Sequence, residues 1–443
     1  MNPSSQETGH AAGADSPDGS ESYRRSDLWH RADYRWWFAG DSSVDFGDGI
    51  RAFALPLIAF AVTGRTAASG TLATAMSATS LVTSLIGGSV IDAIDRRVGI
   101  HLRCATGILI WTCAVVLLAT GNMGFAALVC IGVLSSLTTG LFGYASDAAL
   151  KSLVPTQAYP QASSNNEGRS AAVSLMSGPL SGAPYSIATW IPCAVPVAAF
   201  AVGSLSASRI KADLRPDAFS DTVASTRRSP AEFVRTVADG LVEGIRWMIA
   251  RKRLLSIQLC FCVFNLGFSS AFYAVNYHLI SAGEQPWRIG LISTATAIAT
   301  LIGAIVGPTL INRIPTGILD IALLAWIAAC VAPLALTQSL VSALVCLGLA
   351  FAANPILNSG IFSYALSQVP TDHQARVTTV MNFVSSAMTM ISPVLVGLAL
   401  ERWAAGPIIA VAVCVMLIAL VIALANPLLR EIPTPEQWDR CAL

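Results

Sequence analysis

The sequence predicts an all-α membrane protein with twelve transmembrane helices in two pseudo-symmetric six-helix halves. Of its 443 residues, 54% are hydrophobic and 12% are charged, whereas a soluble domain carries about 25% charged residues. Most of the chain therefore cannot form a surface that faces water. The apolar segments are long enough to cross a bilayer core of about 30 Å, which takes roughly 20 helical residues each. One long polar connection separates six of these segments from the other six.

The apolar segments define twelve predicted spans. They lie near 36–63, 68–91, 100–120, 124–146, 168–188, 191–208, 254–281, 287–311, 316–336, 339–366, 377–400 and 406–428. Similar segments occur six spans apart: "GGSVIDAIDRR" ends span two and "GAIVGPTLINRIPTG" ends span eight, while "GPLSGAPY" in span five corresponds to "SPVLVGLALE" in span eleven. Two halves related in this way are typical of alternating-access transporters, which hold a substrate between the halves near the membrane midplane.

Basic residues predict the orientation, because cytoplasmic loops retain Lys and Arg. With the N-terminus in the cytoplasm, 23 of the 27 Lys and Arg residues lie in cytoplasmic segments. Arg51 then lies within the first span, and Arg65, Arg288 and Arg402 lie outside. We therefore expect a multi-pass protein of the cell membrane with both termini in the cytoplasm.

The predicted domains follow from the spans. Residues 1–34 form a disordered cytoplasmic tail, 35–208 the N-terminal half, 209–253 a cytoplasmic linker, 254–429 the C-terminal half and 430–443 a second cytoplasmic tail. The linker places apolar residues at helical spacing among basic ones, which predicts an amphipathic helix on the inner membrane surface. These apolar residues are Phe233, Val237, Leu241, Ile245 and Met248.

Several function classes are disfavoured. The basic residues form no face or aromatic-interleaved patch of the kind that nucleic acid needs. Cys260 and Cys262 are too isolated for a zinc site, and nine of the ten cysteines lie in or beside apolar spans, as buried small residues do. No catalytic motif and no phosphate loop occurs, so we expect no enzyme activity, no catalytic residue, no metal, no cofactor and no direct use of ATP.

The loop after span two carries a recognisable motif. Gly88, Asp92, Asp95, Arg96 and Arg97 in "GSVIDAIDRR" resemble the G-x-x-x-D-x-x-D-R-R loop of the major facilitator superfamily, in the branch that contains macrolide efflux pumps and the enterobactin exporter. The residue after the first Asp is Ala93, where the family usually has Arg or Lys.

The first span resembles that branch as well. It carries Gly47 and Asp48, then "ALP" at 54–56, then Thr63 and Gly64. The segments that enter spans five and eleven are also similar, and the resemblance covers about 35–429. It implies the twelve-helix major facilitator fold and a monomer. It also implies a secondary active exporter of a small amphipathic molecule, such as a drug, an antibiotic or a secondary metabolite, coupled to protons as an antiporter.

The loop motif also has a physical interpretation. A carboxylate at the cytoplasmic end of span two can lie near the N-terminus of span eleven, whose partial positive charge attracts it. Span eleven begins near Val377, with Arg376 beside it. We expect a latch between the halves that opens and closes with the transport cycle. The alternative is a solvated, positive loop without a gating role.

Span five carries Gly178, Pro179 and Gly182, which resemble the Gly-Pro-x-x-Gly-Gly motif of antiporters in the superfamily, with Ala183 in the last place. Small residues let helices approach closely, and a proline removes a backbone donor and permits a kink. Helix packing without a role in antiport explains the same residues.

Polar and aromatic residues inside the spans are candidates for the cavity wall. In span seven, Asn265, Phe272 and Asn276 share one helical face. Similar sets occur in spans ten and eleven, and hydrogen bonding between helices explains any one of these residues equally well. These sets are Asn354, Asn358 and Phe362, and Asn382 and Ser386.

Four charged residues open the first span: Asp41, Asp45, Asp48 and Arg51. At 100° per residue they share one face, which must look into the protein or a wet cavity because a lone charge at this depth costs at least about 3 kcal/mol. Asp48 and Arg51, at i and i+3, can pair along the helix. We predict that this pair and Asp45 couple proton entry to substrate exit, with a purely structural ion pair as the alternative.

Span four contains no Lys or Arg, whereas many proton-coupled exporters of the superfamily carry a basic residue there. Either Arg51 replaces that residue or proton coupling is absent. Two rival functions stay open: uptake of a metabolite, and a sensor or assembly protein on the same fold that transports nothing.

Overall fold

The structure, a computed structural model, describes residues 25–92, 94–155, 158–214 and 230–440. Within these ranges it contains seventeen α-helices and no β-strand. The helices are α1 (Arg25–His30), α2 (Ala32–Thr63), α3 (Thr66–Asp92), α4 (Arg96–Ala119), α5 (Phe125–Phe142), α6 (Ala145–Leu153), α7 (Tyr159–Ile187), α8 (Ile191–Arg209), α9 (Pro230–Ile249), α10 (Lys252–Ser281), α11 (Pro286–Arg313), α12 (Thr316–Val331), α13 (Leu340–Ser367), α14 (Thr371–Thr389), α15 (Ser392–Ala399), α16 (Ala405–Ala425) and α17 (Pro427–Arg430).

These helices confirm the predicted fold class. In the described part of the chain, ten spans are long and apolar enough to cross a membrane. Helices α3 and α7, with 27 and 29 residues, bring the number to twelve. Span eleven is interrupted at 390–391, between α14 and α15, because Pro393 lacks the N–H that would continue the helical hydrogen bonds.

The two halves repeat the same helix pairings. In the N-terminal half, α2 packs against α8 and α3 against α5; in the C-terminal half, α10 packs against α16 and α11 against α13 in the equivalent way. Buried apolar side chains fill each half, including Trp111 and Phe200 in the first and Leu324 and Tyr364 in the second. The exact domain boundaries stay predictions.

The halves touch backbone to backbone where α7 crosses α11. A Cβ added at Gly182 would lie 2.4 Å from the carbonyl oxygen of Pro286 and from Trp287 Cα. A Cβ at Gly290 would lie 2.4 Å from the carbonyl oxygen of Gly178. These two helices can approach so closely only because glycine occupies the crossing on both sides.

A second contact between the halves joins α3 to α15. Thr66 Oγ1 donates a hydrogen bond of 2.9 Å to the carbonyl oxygen of Gly397, and Thr74 Oγ1 donates one of 2.9 Å to that of Met390. At the tip, Arg65 donates from Nε and Nη2 to the two carboxylate oxygens of Glu401, at 3.0 and 2.8 Å. The α7–α11 and α3–α15 contacts and this ion pair define what we call the closed end.

The halves separate at the opposite end, which carries α1, α9 and α17. There, a cavity of about 560 Å³ lies between Ser84 and Leu85 of α3 and Asn382 and Phe383 of α14. We call this the open end. A molecule in solution on this side can enter between the halves, whereas the closed end blocks passage.

Helix α9 in the linker packs on the start of α14. Its Met248 is buried in a cluster with Val377, Val380 and Met381, and Glu243 Oε1 lies 2.6 Å from Arg376 Nη1. The apolar face of α9 is therefore partly covered by protein, in addition to any contact with the membrane surface. The first half of α14 is apolar on this side, so the apolar face of α9 packs against it.

The glycine crossing generates a first prediction. We expect Gly182→Ala to destabilise the protein by about 1–3 kcal/mol, since the new methyl group overpacks against the α11 backbone. Thermal unfolding of purified protein in detergent measures the change. Gly168→Ala, on the same helix with nothing within 4 Å of the added Cβ, is the matched control and should be neutral or stabilising by up to about 1 kcal/mol. Equal behaviour of the two variants would contradict the close crossing.

The ion pair at the closed end generates a second prediction. The hydrogen bonds from Arg65 hold the pKa of Glu401 below its ordinary value, so the stabilisation is present above the ordinary pKa and is lost only as pH falls through the lowered one. The pair is therefore intact at neutral pH. Glu401→Gln should raise the fraction of molecules open at this end by a small factor, up to about fivefold, since an exposed ion pair contributes little to stability.

Spin labels attached at Asn122 and Leu336, in loops of the two halves at the closed end, report the separation as a distance distribution. Glu284→Gln is the control, because Glu284 pairs with Arg288 within one half, at 3.1 Å. A longer distance in both variants, or in neither, would show that the pair between Arg65 and Glu401 does not hold the halves together.

Candidate functional site

The charged residues of span one lie on α2 and face the interior of the N-terminal half. Arg51 Nε donates to Asp48 Oδ1 at 2.7 Å, which is the pairing along the helix that the i, i+3 spacing predicts. Arg51 also donates from Nη2 to Thr139 Oγ1 of α5 at 3.2 Å, and its guanidinium lies 6.0 Å from the centre of the Trp111 ring on α4. This side chain therefore links span one to spans three and four.

Arg103 of α4 is a second partner of Asp48. Its Nη2 donates to Asp48 Oδ2 at 2.7 Å, and only 10% of its side chain is exposed. The sequence prediction counted Arg103 among the cytoplasmic basic residues, although it falls inside the predicted span three. Its position gave a usable signal, since it lies eight residues after Asp95, the N-cap of α4, and hence about two helical turns inside the span.

Arg169 of α7 holds the other two carboxylates. Its Nη2 lies 2.5 Å from Asp41 Oδ2 and 2.9 Å from Asp45 Oδ2. The guanidinium also donates to Asn166 Oδ1 and lies 5.9 Å from the ring centres of Trp37 and Phe38. Sequence reasoning missed Arg169 too, although it falls inside the predicted span five.

Together these six side chains form what we call the charge network: Asp41, Asp45, Asp48, Arg51, Arg103 and Arg169. Three carboxylates face three guanidinium groups, so the network is neutral when all six are ionised. Pairing is required, because breaking a buried pair by removing one partner costs about 3–5 kcal/mol. The network thereby fixes spans one, three and five against one another.

Asp45 is the member of the network that reaches the space between the halves. Its side chain is 31% exposed, whereas that of its partner Arg169 is 5% exposed. It lines a cavity of about 480 Å³ between α2 and α7 of one half and α10 and α11 of the other. We call this the central cavity.

Two of the residues predicted for the cavity wall, Phe272 and Asn276, line the central cavity. Asn382 and Ser386 line the neighbouring cavity at the open end. Four others line neither of these two cavities: Asn265, Asn354, Asn358 and Phe362. Asn358 Nδ2 instead donates to Asn354 Oδ1 one turn earlier in α13, at 2.8 Å.

The contacts that the structure describes for residues of the predicted latch lie within one half or on the linker. Asp95 caps α4 by accepting a 2.8 Å hydrogen bond from the backbone N–H of Arg97. Arg97 Nη2 donates to the carbonyl oxygen of Ala212 at 2.8 Å, and Arg96 contacts Ser152 of α6. Gly88 lines a cavity at the open end, together with Arg96.

Arg376 contacts Glu243 of the linker helix. The side chain of Asp92 lies outside the described residues. A latch between Asp92 and the start of span eleven therefore stays a prediction for another conformation.

Gly178, Pro179 and Gly182 lie at the crossing of α7 and α11, where the halves touch. Pro179 has no N–H to donate to the carbonyl oxygen of Leu175, one turn earlier. Thr294 of α11 donates to that oxygen instead, at 2.8 Å. The proline thus frees a backbone acceptor in one half, and a hydroxyl of the other half uses it.

Comparison with known proteins identifies the family. Among solved structures, the chain is similar to the nucleoside transporter NupG in a mutant form, with a TM-score of 0.67 and 10% identity over 89% of this chain and 99% of that one. It is also similar to a bacterial homologue of the iron transporter ferroportin in an inward-facing state, with a TM-score of 0.65 and 16% identity over 89% of this chain and 98% of that one. These likenesses show the fold.

No curated protein sequence matches this chain. The sequence model of the Major Facilitator Superfamily matches residues 41–393. The matched segment contains the whole charge network and most of both halves. Because the match covers well over half of its length, the chain belongs to the Major Facilitator Superfamily of membrane transporters.

Proposed function

We propose that this protein is a secondary active exporter of a small amphipathic molecule, working by alternating access in exchange for protons. The observation that carries the proposal is the exposure of Asp45, the carboxylate through which the charge network opens onto the central cavity. An ionisable group within a span is a functional site by default. Here it lies beside a cavity large enough for a drug-sized molecule, which takes about 300–1,000 Å³.

Proton binding would change the pairing inside the network. A proton on Asp45 leaves Arg169 with Asp41 as its remaining carboxylate partner. Asp48 bonds to both Arg51 and Arg103, so its charge holds spans one and three together. Neutralising either carboxylate therefore alters contacts between helices, which is the kind of local electrostatic change that biases a two-state element.

The direction of transport rests on the orientation. The open end carries α9 and the end of the chain, and most of the basic residues lie in segments at this end. The positive-inside rule therefore assigns it to the cytoplasm. Substrate would enter the central cavity from the cytoplasm and leave after the closed end opens, which requires the contacts of Arg65, Gly178 and Gly182 to separate.

Asp48 provides the test of proton coupling. In inside-out membrane vesicles with an acidic interior, wild-type protein should accumulate fluorescent amphipathic dyes, one cationic and one neutral. Purified Asp48→Asn should still bind dye. In vesicles, its dye accumulation should fall to the level of vesicles without the protein, because the charge that joins Arg51 and Arg103 is gone. Asp48→Glu keeps the charge and is the control.

Each outcome of the vesicle experiment decides between the candidate functions. Gradient-driven accumulation by Asp48→Asn would refute its coupling role. Dye movement out of the vesicles would indicate uptake into the cell instead of export. Wild-type vesicles that move neither dye would contradict the proposed exporter.

The orientation has its own test. We expect Ala282→Cys, in the loop after span seven, to react with an impermeant maleimide in intact cells. Ala250→Cys, in the turn between α9 and α10, should react only after the cells are opened. Both side chains are exposed, and the ten native cysteines are replaced in both proteins. Labelling of Ala250→Cys in intact cells would reverse the orientation and with it the proposed direction.

A further inference from the structure

We infer that the central cavity selects molecules that carry one positive charge on an aromatic or apolar body, with Asp45 as the group that receives the charge. The inference rests on the proposed function for its meaning in transport, because it names the class of substrate. The charge and the aromatic character of the cavity wall are the evidence for the binding site itself.

The cavity wall carries a negative charge and no positive one. Among the described residues that line it, Asp45 is the one charged at neutral pH, and none is Lys, Arg or His. Its partner Arg169 is 5% exposed and lies behind the wall. A cation in the cavity therefore meets a carboxylate without a competing surface cation.

The distribution of charge within the network adds to this bias. Asp41 and Asp45 share the single guanidinium of Arg169, which leaves one negative charge uncompensated on the cavity side. Asp48 is bonded to two arginines, so the compensating positive charge lies further along α2 and α4. A cation bound at Asp45 would balance the side of the network that has too few positive charges.

Aromatic rings also line the cavity. Phe272, Tyr273 and Tyr277 of α10 line the cavity, as does Phe53 of α2. The ring centres of Tyr273 and Tyr277 are 5.6 Å apart, and those of Phe272 and Tyr273 are 5.9 Å apart. Aromatic faces attract cations and also bury apolar surface, so both parts of an amphipathic cation have a partner.

One tyrosine of this wall, Tyr277, is almost fully buried. Tyr277 is 1% exposed, and its hydroxyl has no hydrogen-bond partner among the described residues. Buried polar groups are normally paired, and leaving one unpaired costs about 1–3 kcal/mol. The oxygen itself is buried, so it makes no direct contact with a molecule in the cavity.

The test uses two ions of nearly the same size and shape and of opposite charge, tetraphenylphosphonium and tetraphenylborate. Equilibrium binding to the purified protein is measured in detergent, with binding to empty micelles subtracted. We expect the wild-type protein to bind the cation at least about tenfold more tightly than the anion. Asp45→Asn should remove most of this preference, and Asp45→Glu should keep it.

Two further variants separate charge from packing. Asp147→Asn removes a carboxylate that lines the adjoining cavity but not the central one, so it should leave the preference unchanged. Phe272→Ala should weaken binding of both ions, and of the cation somewhat more, since it removes apolar contact and one aromatic face but no charged group. Equal binding of the two ions by wild-type protein, or an unchanged preference in Asp45→Asn, would overturn the inference.

The binding measurement does not depend on transport. A wild-type protein that prefers the cation but moves no dye in vesicles would keep this site and refute the exporter. A protein that exports dye in response to a proton gradient but binds both ions equally would keep the exporter and refute the cation site.

Discussion

The structure of the N-terminal half depends on the cost of placing charge where lipid surrounds the protein. Six ionised side chains lie within the spans of this half, and each must find a partner inside it. Asp48 can meet both Arg51 and Arg103 only if α2 and α4 lie side by side, and Arg169 can bridge Asp41 and Asp45 only if α7 packs on the same face of α2. Ion pairing thus selects one packing arrangement from the many that apolar helices allow.

The two halves contribute different chemistry to the central cavity. The N-terminal half supplies charge through Asp45, while the C-terminal half supplies aromatic rings from α10, such as Phe272 and Tyr277. Polar contacts in the C-terminal half are largely uncharged, as where Gln258 donates to Ser385 Oγ and to the carbonyl oxygen of Met381, at 2.9 and 3.1 Å. Charge from one half and aromatic surface from the other therefore meet in the space between the halves.

The contacts that join the halves at the closed end are of a kind that can be broken and formed again. At the closed end, helix backbones meet through glycine at the α7–α11 crossing, and the solvent-exposed pair of Arg65 and Glu401 contributes little to stability. When these contacts separate, no unpaired charge is left buried, because Arg65 and Glu401 are both in contact with solvent. The ion pairs of the charge network all lie within one half, so relative motion of the halves does not require breaking them.

The sequence by itself determined the membrane class, the twelve spans and the two halves, because hydropathy and span length are local properties that lipid enforces on each segment. It also identified Asp45, Asp48 and Arg51, since a charge inside an apolar span is visible in one dimension. Only the tertiary structure paired Asp48 with Arg103 and Asp45 with Arg169, and placed Arg376 against the linker helix. It also showed that Phe272 and Asn276 line the central cavity, whereas Asn354 and Asn358 do not. The physical reason is that these pairings depend on how helices from distant parts of the chain rotate and pack, and helical periodicity fixes the faces of one helix without specifying the helix that each face meets.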